Sequence, residues 1–357
     1  QARTHYILPY GRYVTIAKTA RPHKKMAATY TMKWKYVFGS IIVAEICIVA
    51  YLGHSLYVRR SQSKIVLGTA TVTPINKEYL IFQENSRLRY FYEPKPNSVQ
   101  TEHPDWLPYA ATYTINSDSL NERYDYAIDK SSDTYRIIAL GDSFTFGHYV
   151  NTSDNWPEQL ENKLNTDCGD SIKYEVINLG VYGYDMEYAV ERYRLRGTKY
   201  QPDLVLWLLL GERMNEYMTP IIQELEISMP TDKRAAYAAK GNYSPEWSEA
   251  TTRMLQTFSP QQRLEQERAF MKQFTNIYDG LLVLFTPPNL GFEYRVRVKL
   301  HASERPNTYY TDSIPDIIAS GQVLPDGHPN TSGHTSYAKY MFNKLAHFRL
   351  VPCLPTN

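Results

Sequence analysis

Two short stretches of this chain hold side chains suited to moving an acyl group. Gly141-Asp142-Ser143-Phe144 sets a hydroxyl beside a glycine turn, and Asp326-Gly327-His328-Pro329-Asn330 sets a carboxylate two residues before an imidazole. A serine hydroxyl is a weak nucleophile at neutral pH and needs a base within about 2.6–3.2 Å. A neutral histidine can take that proton and return it to a leaving alcohol, which predicts a rate that rises as the imidazole loses its proton. An aspartate bonded to the other ring nitrogen fixes the tautomer and stabilises the imidazolium. Two more stretches carry groups able to hold a transient negative oxygen. Asn178-Leu179-Gly180-Val181-Tyr182-Gly183 offers glycine amides, and Gly211-Glu212-Arg213-Met214-Asn215 an amide side chain.

Each candidate also has a plain structural reading. Gly-Asp-Ser alone is an ordinary turn, Asp326 could cap a loop, and Asn215 could cap a helix. Asp142 is expected to support its turn through a backbone hydrogen bond. His334 is a second histidine near His328, but it falls inside the last helical stretch, and His148 reads as a loop residue. Tyr182 and Tyr184 flank the second block, where they could stack on a sugar or simply fill the core.

The elements that must position these residues follow from the hydrophobic pattern. Apolar runs at 135–140, 174–179, 204–210 and 281–285 each end at a glycine or a Thr-Pro-Pro turn, as strands buried on both faces do. Between and after them lie helical stretches at 156–164, 186–196, about 244–277 and 331–348. The alternation predicts an α/β three-layer sandwich around a mostly parallel sheet, in which ligands sit beyond the carboxyl ends of the strands. The candidate residues fall at those ends.

Over about residues 115–348 the blocks, in their order, resemble the GDSL family of serine hydrolases, also called SGNH hydrolases. The resemblance implies a flavodoxin-like sandwich, with Ser143 as nucleophile, His328 and Asp326 as its partners, and Gly183 donating its amide to the oxyanion with the Ser143 amide. The third block usually reads Gly-x-Asn-Asp; here its asparagine fits Asn215 only with extra residues between. The last block is a shortened Asp-x-x-His, and Asn116-Ser117-Asp118-Ser119-Leu120-Asn121 resembles a lead-in motif of bacterial relatives. Ester hydrolysis through an acyl-enzyme, without cofactor or metal, is the implied reaction. An O-acyl or O-acetyl group on carbohydrate or cell-envelope material is the implied substrate. Acyl transfer to a polysaccharide is a second reading, and a non-catalytic carbohydrate-binding or assembly protein on a hydrolase scaffold is a third.

Composition separates the N-terminal end from the rest. The chain has 357 residues, 43% hydrophobic and 21% charged, which is globular. The first 35 residues hold eight Lys or Arg and no acid, leaving 31 basic against 37 acidic residues in the remainder. A mildly acidic body lacks the basic face that phosphate backbones require, so nucleic acid is not an expected partner. Residues 36–58 form an apolar stretch interrupted by Glu45 and His54, long enough to cross a hydrocarbon layer of roughly 30 Å. Six Lys or Arg precede it within about 20 residues and four follow, which favours an internal N-terminus and an extracytoplasmic body. A cleaved signal peptide, leaving a secreted protein, is the alternative. Glu45 would be costly in lipid and marks a place for a partner helix.

The expected organisation is thus a basic segment at 1–35, in which Met32 is a candidate initiator, a membrane span or signal anchor at 36–58, and an irregular lead-in or cap at 59–130. The hydrolase domain then runs over 131–350 with a helical insertion at 220–279. Cys168 and Cys353 could form one disulfide in an oxidising compartment.

Overall fold

The computed structural model describes residues 79–168, 172–211, 218–228 and 245–352. The basic segment, the 36–58 stretch with Glu45, Asn215 and Cys353 lie outside them. Among the described residues, no helix is long and apolar enough to cross a membrane. Cys168 is disulfide-bonded.

The chain enters through two antiparallel hairpins. Strands β1 (Leu80–Phe82) and β2 (Tyr92–Pro94) form the first, β3 (Ser98–Glu102) and β4 (Ala111–Ile115) the second. The main sheet follows, with β5 (Thr134–Leu140), β6 (Lys173–Asn178), β7 (Leu204–Leu208), β8 (Leu281–Phe285) and β9 (Thr308–Thr311). Its strands are all parallel, in the order β6-β5-β7-β8-β9. The helices are α1 (Ser143–Phe146), α2 (Trp156–Cys168), α3 (Met186–Arg192), α4 (Met218–Ser228), α5 (Pro245–Thr257), α6 (Pro260–Thr275), α7 (Phe292–Ser303) and α8 (Thr331–His347).

Helices cover both faces of the sheet, which is why β5, β6, β7 and β8 read as largely apolar runs. On one face Ile137, Ala139, Val176, Leu206 and Phe285 pack with Trp156 and Leu160 of α2 and with Tyr337 and Met341 of α8. On the other, Ile138, Ile177, Val205 and Leu284 meet Ala189 of α3, Phe274 of α6 and Val298 of α7. Placing α2 and α3 on opposite faces is what right-handed crossovers demand when β5 leads to β6 on one side and the chain then returns past β5 to β7. In open parallel sheets ligands bind beyond the carboxyl ends of the strands on either side of such a reversal, which here are β5 and β7.

A third apolar cluster lies over that end. Phe91, Tyr92, Leu107 and Tyr113 of the hairpins join Ile221 of α4 and Trp247 of α5, and all pack with Phe146, Tyr149, Val181 and Tyr182 from the nucleophile and glycine blocks. Buried charge ties the lead-in down as well. Glu93 and Arg192, both fully buried, form an ion pair, Arg196 reaches Glu93 at 2.7 Å, and Arg192 donates to the Ser119 carbonyl at 2.6 Å.

Three features depart from the sequence-based elements. The polar stretch expected at about 244–277 is two helices, broken where Ser259 caps α6 in a reciprocal box with Gln262 and Pro260 takes the first turn. The helix expected to reach Arg196 ends at Arg192 and continues as a wide turn, Tyr193–Gly197, and a tight one, Thr198–Tyr200. The fifth strand, β9, is a short half-buried edge of Thr and Tyr, without the apolar run that marks the others.

Candidate active site

Ser143 opens a four-residue helix directly beyond β5. Two features of Gly141-Asp142 make the turn possible. A Cβ on Gly141 would lie 2.2 Å from Thr145 Oγ1 and 3.1 Å from the Leu208 carbonyl oxygen, so only glycine lets the chain pass the end of β7. Asp142 then caps the helix, its Oδ1 accepting the Phe144 amide at 3.0 Å. Burial pushes the Asp142 carboxyl up to about 6. Gly147, at φ +88°, closes the helix four residues later.

Two asparagines fix this short helix from below. Asn121 Nδ2 donates to the Phe146 carbonyl at 2.7 Å and Asn178 Nδ2 to that of Thr145 at 2.9 Å. The Asn116–Asn121 stretch is itself a side-chain-built turn, in which Asn116 Oδ1 accepts the amides of Asp118 and Leu120. Its conformation presents Asn121 to the nucleophile helix.

The other half of the site comes from the loop before α8. Asp326 Oδ2 meets His328 Nδ1 at 2.7 Å, and Asp326 Oδ1 accepts the His328 amide at 3.1 Å. His328 Nε2 stands 2.9 Å from Ser143 Oγ across 185 residues of chain. Burial alone would raise the Asp326 carboxyl, but the hydrogen bonds and charge of His328 more than offset it and hold the group below its ordinary range. Ser143, His328 and Asp326 thus form one hydrogen-bonded line.

Gly183 follows Tyr182 with φ +78°, and a Cβ there would approach the Tyr92 hydroxyl to 2.7 Å. Neither its amide nor that of Ser143 has an acceptor among the described residues. Asn215 falls outside those residues, so the third oxyanion group expected from the sequence has no described position.

The aromatic expectations fare differently. Tyr184 packs against Phe91, Tyr92 and Tyr188 and donates its hydroxyl to the Tyr92 carbonyl, so it belongs to the cap core. Tyr182 is also buried, edge-on to Phe146 at 5.0 Å and nearly parallel to His148 at 5.3 Å. His334 is sealed within α8, where its Nδ1 accepts the Trp156 amide at 3.2 Å and burial drives its proton affinity down to about 3. It is a structural residue.

His148 is more than the loop residue that its sequence context suggests. Its Nε2 lies 2.9 Å from Glu102 Oε2, an oxygen that also accepts the Tyr113 hydroxyl at 3.1 Å. The His148 ring stacks on Tyr149 with centroids 3.7 Å apart and stands edge-to-face with His328 at 4.9 Å. Glu102 is held below the usual carboxylate range, burial being outweighed by the charge and bond of His148 and the bond from Tyr113. Glu102 and His148 are 46 residues apart and share no local motif. The alternation of β3, which buries Gln100 between more exposed neighbours, offers no hint of the contact.

No family model matches this chain, and no curated protein matches it. Solved structures to which it is similar include the esterase EstA from Pseudoalteromonas sp., at 15% identity over 60% of this chain and 98% of that one, with a TM-score of 0.40. Another is a mutant of Axe2, an acetylxylan esterase from Geobacillus stearothermophilus, at 13% identity, covering 61% and 96%, with a TM-score of 0.37. A third is a protein of the G-D-S-L family from Desulfitobacterium hafniense, at 16% identity, covering 60% and 99%, with a TM-score of 0.32.

Proposed function

We propose that this chain is a serine esterase of the GDSL/SGNH type that cleaves an O-acyl ester. The observation that carries the reading is the line from Ser143 Oγ through His328 to Asp326, with both hydrogen bonds within 2.9 Å. In the first step Ser143 Oγ attacks the ester carbonyl carbon while its proton passes to His328 Nε2. Asp326 remains ionised and stabilises the imidazolium that results. The carbonyl oxygen takes the negative charge and is met by the amides of Ser143 and Gly183; one such donor is typically worth roughly 3 kcal/mol of barrier. The carbon–oxygen bond to the alcohol then breaks, the alcohol leaves with the proton from His328, and the acyl group stays on Ser143. A water molecule, deprotonated by the same imidazole, releases the carboxylic acid and restores the hydroxyl.

An acetyl ester on carbohydrate or cell-envelope material is the proposed substrate, on the strength of the sequence resemblance. An extracytoplasmic body held by the 36–58 stretch is the proposed location. A fluorophosphonate probe tests the chemistry: the protein should be labelled at Ser143, Ser143→Ala should not be labelled, and an unlabelled wild type would overturn the esterase reading. Extraction of the intact protein from membranes by alkaline carbonate would overturn the anchor.

A further inference from the structure

Among the described residues, two histidine–glutamate pairs stand outside the catalytic line, and they differ in one respect. His301 Nε2 meets Glu267 at 2.9 Å between α6 and α7, and its Nδ1 is sealed from solvent, as suits an internal brace. His148 makes the same pair with Glu102, but its Nδ1 has no hydrogen-bond partner among the described residues, and its side chain keeps 10% of its surface exposed where that of His301 keeps none. With Nε2–H given to the carboxylate, Nδ1 carries a lone pair whenever the ring holds a single proton, and then it accepts a hydrogen bond.

The surroundings keep this ring in place. Tyr149 stacks on it at 3.7 Å, Tyr182 lies nearly parallel at 5.3 Å, and the Tyr113 hydroxyl joins Glu102 from β4 while accepting the Tyr149 amide at 2.8 Å. Tyr149 itself takes φ +67°, a left-handed conformation unusual for an aromatic residue, and the Tyr113 bond holds it there. The result is a fixed acceptor whose ring centroid is 4.9 Å from that of His328, the group that protonates the leaving oxygen.

Ester cleavage needs only one imidazole to shuttle the proton, so the second has no task in the chemistry itself. On the esterase reading above, we propose that His148 is a specificity-determining residue whose Nδ1 accepts a hydrogen bond from a hydroxyl adjacent to the ester, which selects polyol esters such as monoacetylated sugars. Glu102 acts through it as a positioning residue by fixing its tautomer. A polar group placed for a substrate hydroxyl rejects the analogue that lacks it, because the buried acceptor is then left unpaired.

The test compares kcat/KM for a monoacetylated pyranoside bearing a free hydroxyl next to the ester with kcat/KM for its deoxy analogue. The wild type should prefer the hydroxylated ester at least tenfold, and a smaller preference overturns the proposal. In His148→Phe, which keeps an aromatic ring between the tyrosines but removes both nitrogens, the preference should fall below threefold. In Glu102→Gln it should fall at least threefold from the wild-type value. Misfolding would lower both rates and leave their ratio alone, so a ratio preserved in either variant overturns the proposal. Failure of the esterase reading looks different: neither ester is turned over, Ser143 is not labelled, and this proposal goes with it.

Discussion

Asp326 holds His328 with both of its carboxylate oxygens, one on the ring at Nδ1 and one on the backbone amide of the same residue. The contact therefore fixes the ring's tautomer and the loop that carries it together. Asp326→Asn presents an amide where a second acceptor is needed and favours the wrong tautomer. The expected outcome is a fall in kcat on p-nitrophenyl acetate of roughly 10³- to 10⁴-fold with little change in melting temperature. A fall of less than tenfold would mean that another group orients His328.

Gly183 is required by its backbone conformation and by the nearness of Tyr92. An alanine at φ +78° carries a left-handed strain of roughly 1–2 kcal/mol, and its methyl would press on the Tyr92 hydroxyl that donates to the Tyr182 carbonyl. Gly183→Ala should lower the melting temperature by several degrees and reduce kcat, since any shift of the turn moves the amide. Tyr92→Phe in the same background should recover part of the loss of stability, though not all of it. Full recovery would show that the backbone angle carries no strain.

Three carboxyls, Glu122, Glu158 and Glu161, are buried together between the lead-in and α2. Glu161 Oε2 accepts the Val176 amide at 2.8 Å and the Tyr126 hydroxyl at 3.1 Å, and Glu122 Oε2 accepts the same Tyr126 hydroxyl at 3.1 Å. Burial raises Glu161 to about 7 and, aided by the neighbouring carboxylates, raises Glu122 as well. A carboxyl raised on folding stabilises the protein fully below its unfolded value, near 4.3, and that stabilisation is lost as pH climbs through the folded one. Thermal unfolding should therefore shift to lower temperature between about pH 5 and 8, and Glu161→Gln should flatten the slope. A melting temperature that rises over this range in the wild type would contradict the assignment.

Glu93 of β2 neutralises two arginines that belong to the helix and turn after β6. Glu93→Ala leaves Arg192 buried without its counter-charge, for which a loss of about 3–5 kcal/mol is expected. The measurement is chemical denaturation. A loss below 1 kcal/mol would mean that water or another acid replaces the carboxylate.

Much of the sheet was legible because both faces of β5, β6, β7 and β8 are covered, which writes each strand as a largely apolar run. The serine, histidine and aspartate were legible because each stands at a strand or loop end in a short motif. β9 was hidden by its Thr-Tyr-Tyr-Thr composition. The burial of Tyr184 comes from Phe91, Tyr92 and Tyr188 together, two of them about ninety residues away in the chain, so no local pattern shows it. Glu102 and His148 were beyond local reading for the same reason: a hairpin has to fold over the sheet before they meet.

The helix bearing Ser143 has four residues, too few to persist without help. Its geometry is borrowed, since the carbonyls of Thr145 and Phe146 are gripped by side chains from the Asn116–Asn121 turn and from the end of β6. Grafting the Gly-Asp-Ser-Phe tetrapeptide onto another parallel sheet would thus transplant the letters of a nucleophile and leave its aim behind. A working copy would have to bring both asparagines with it.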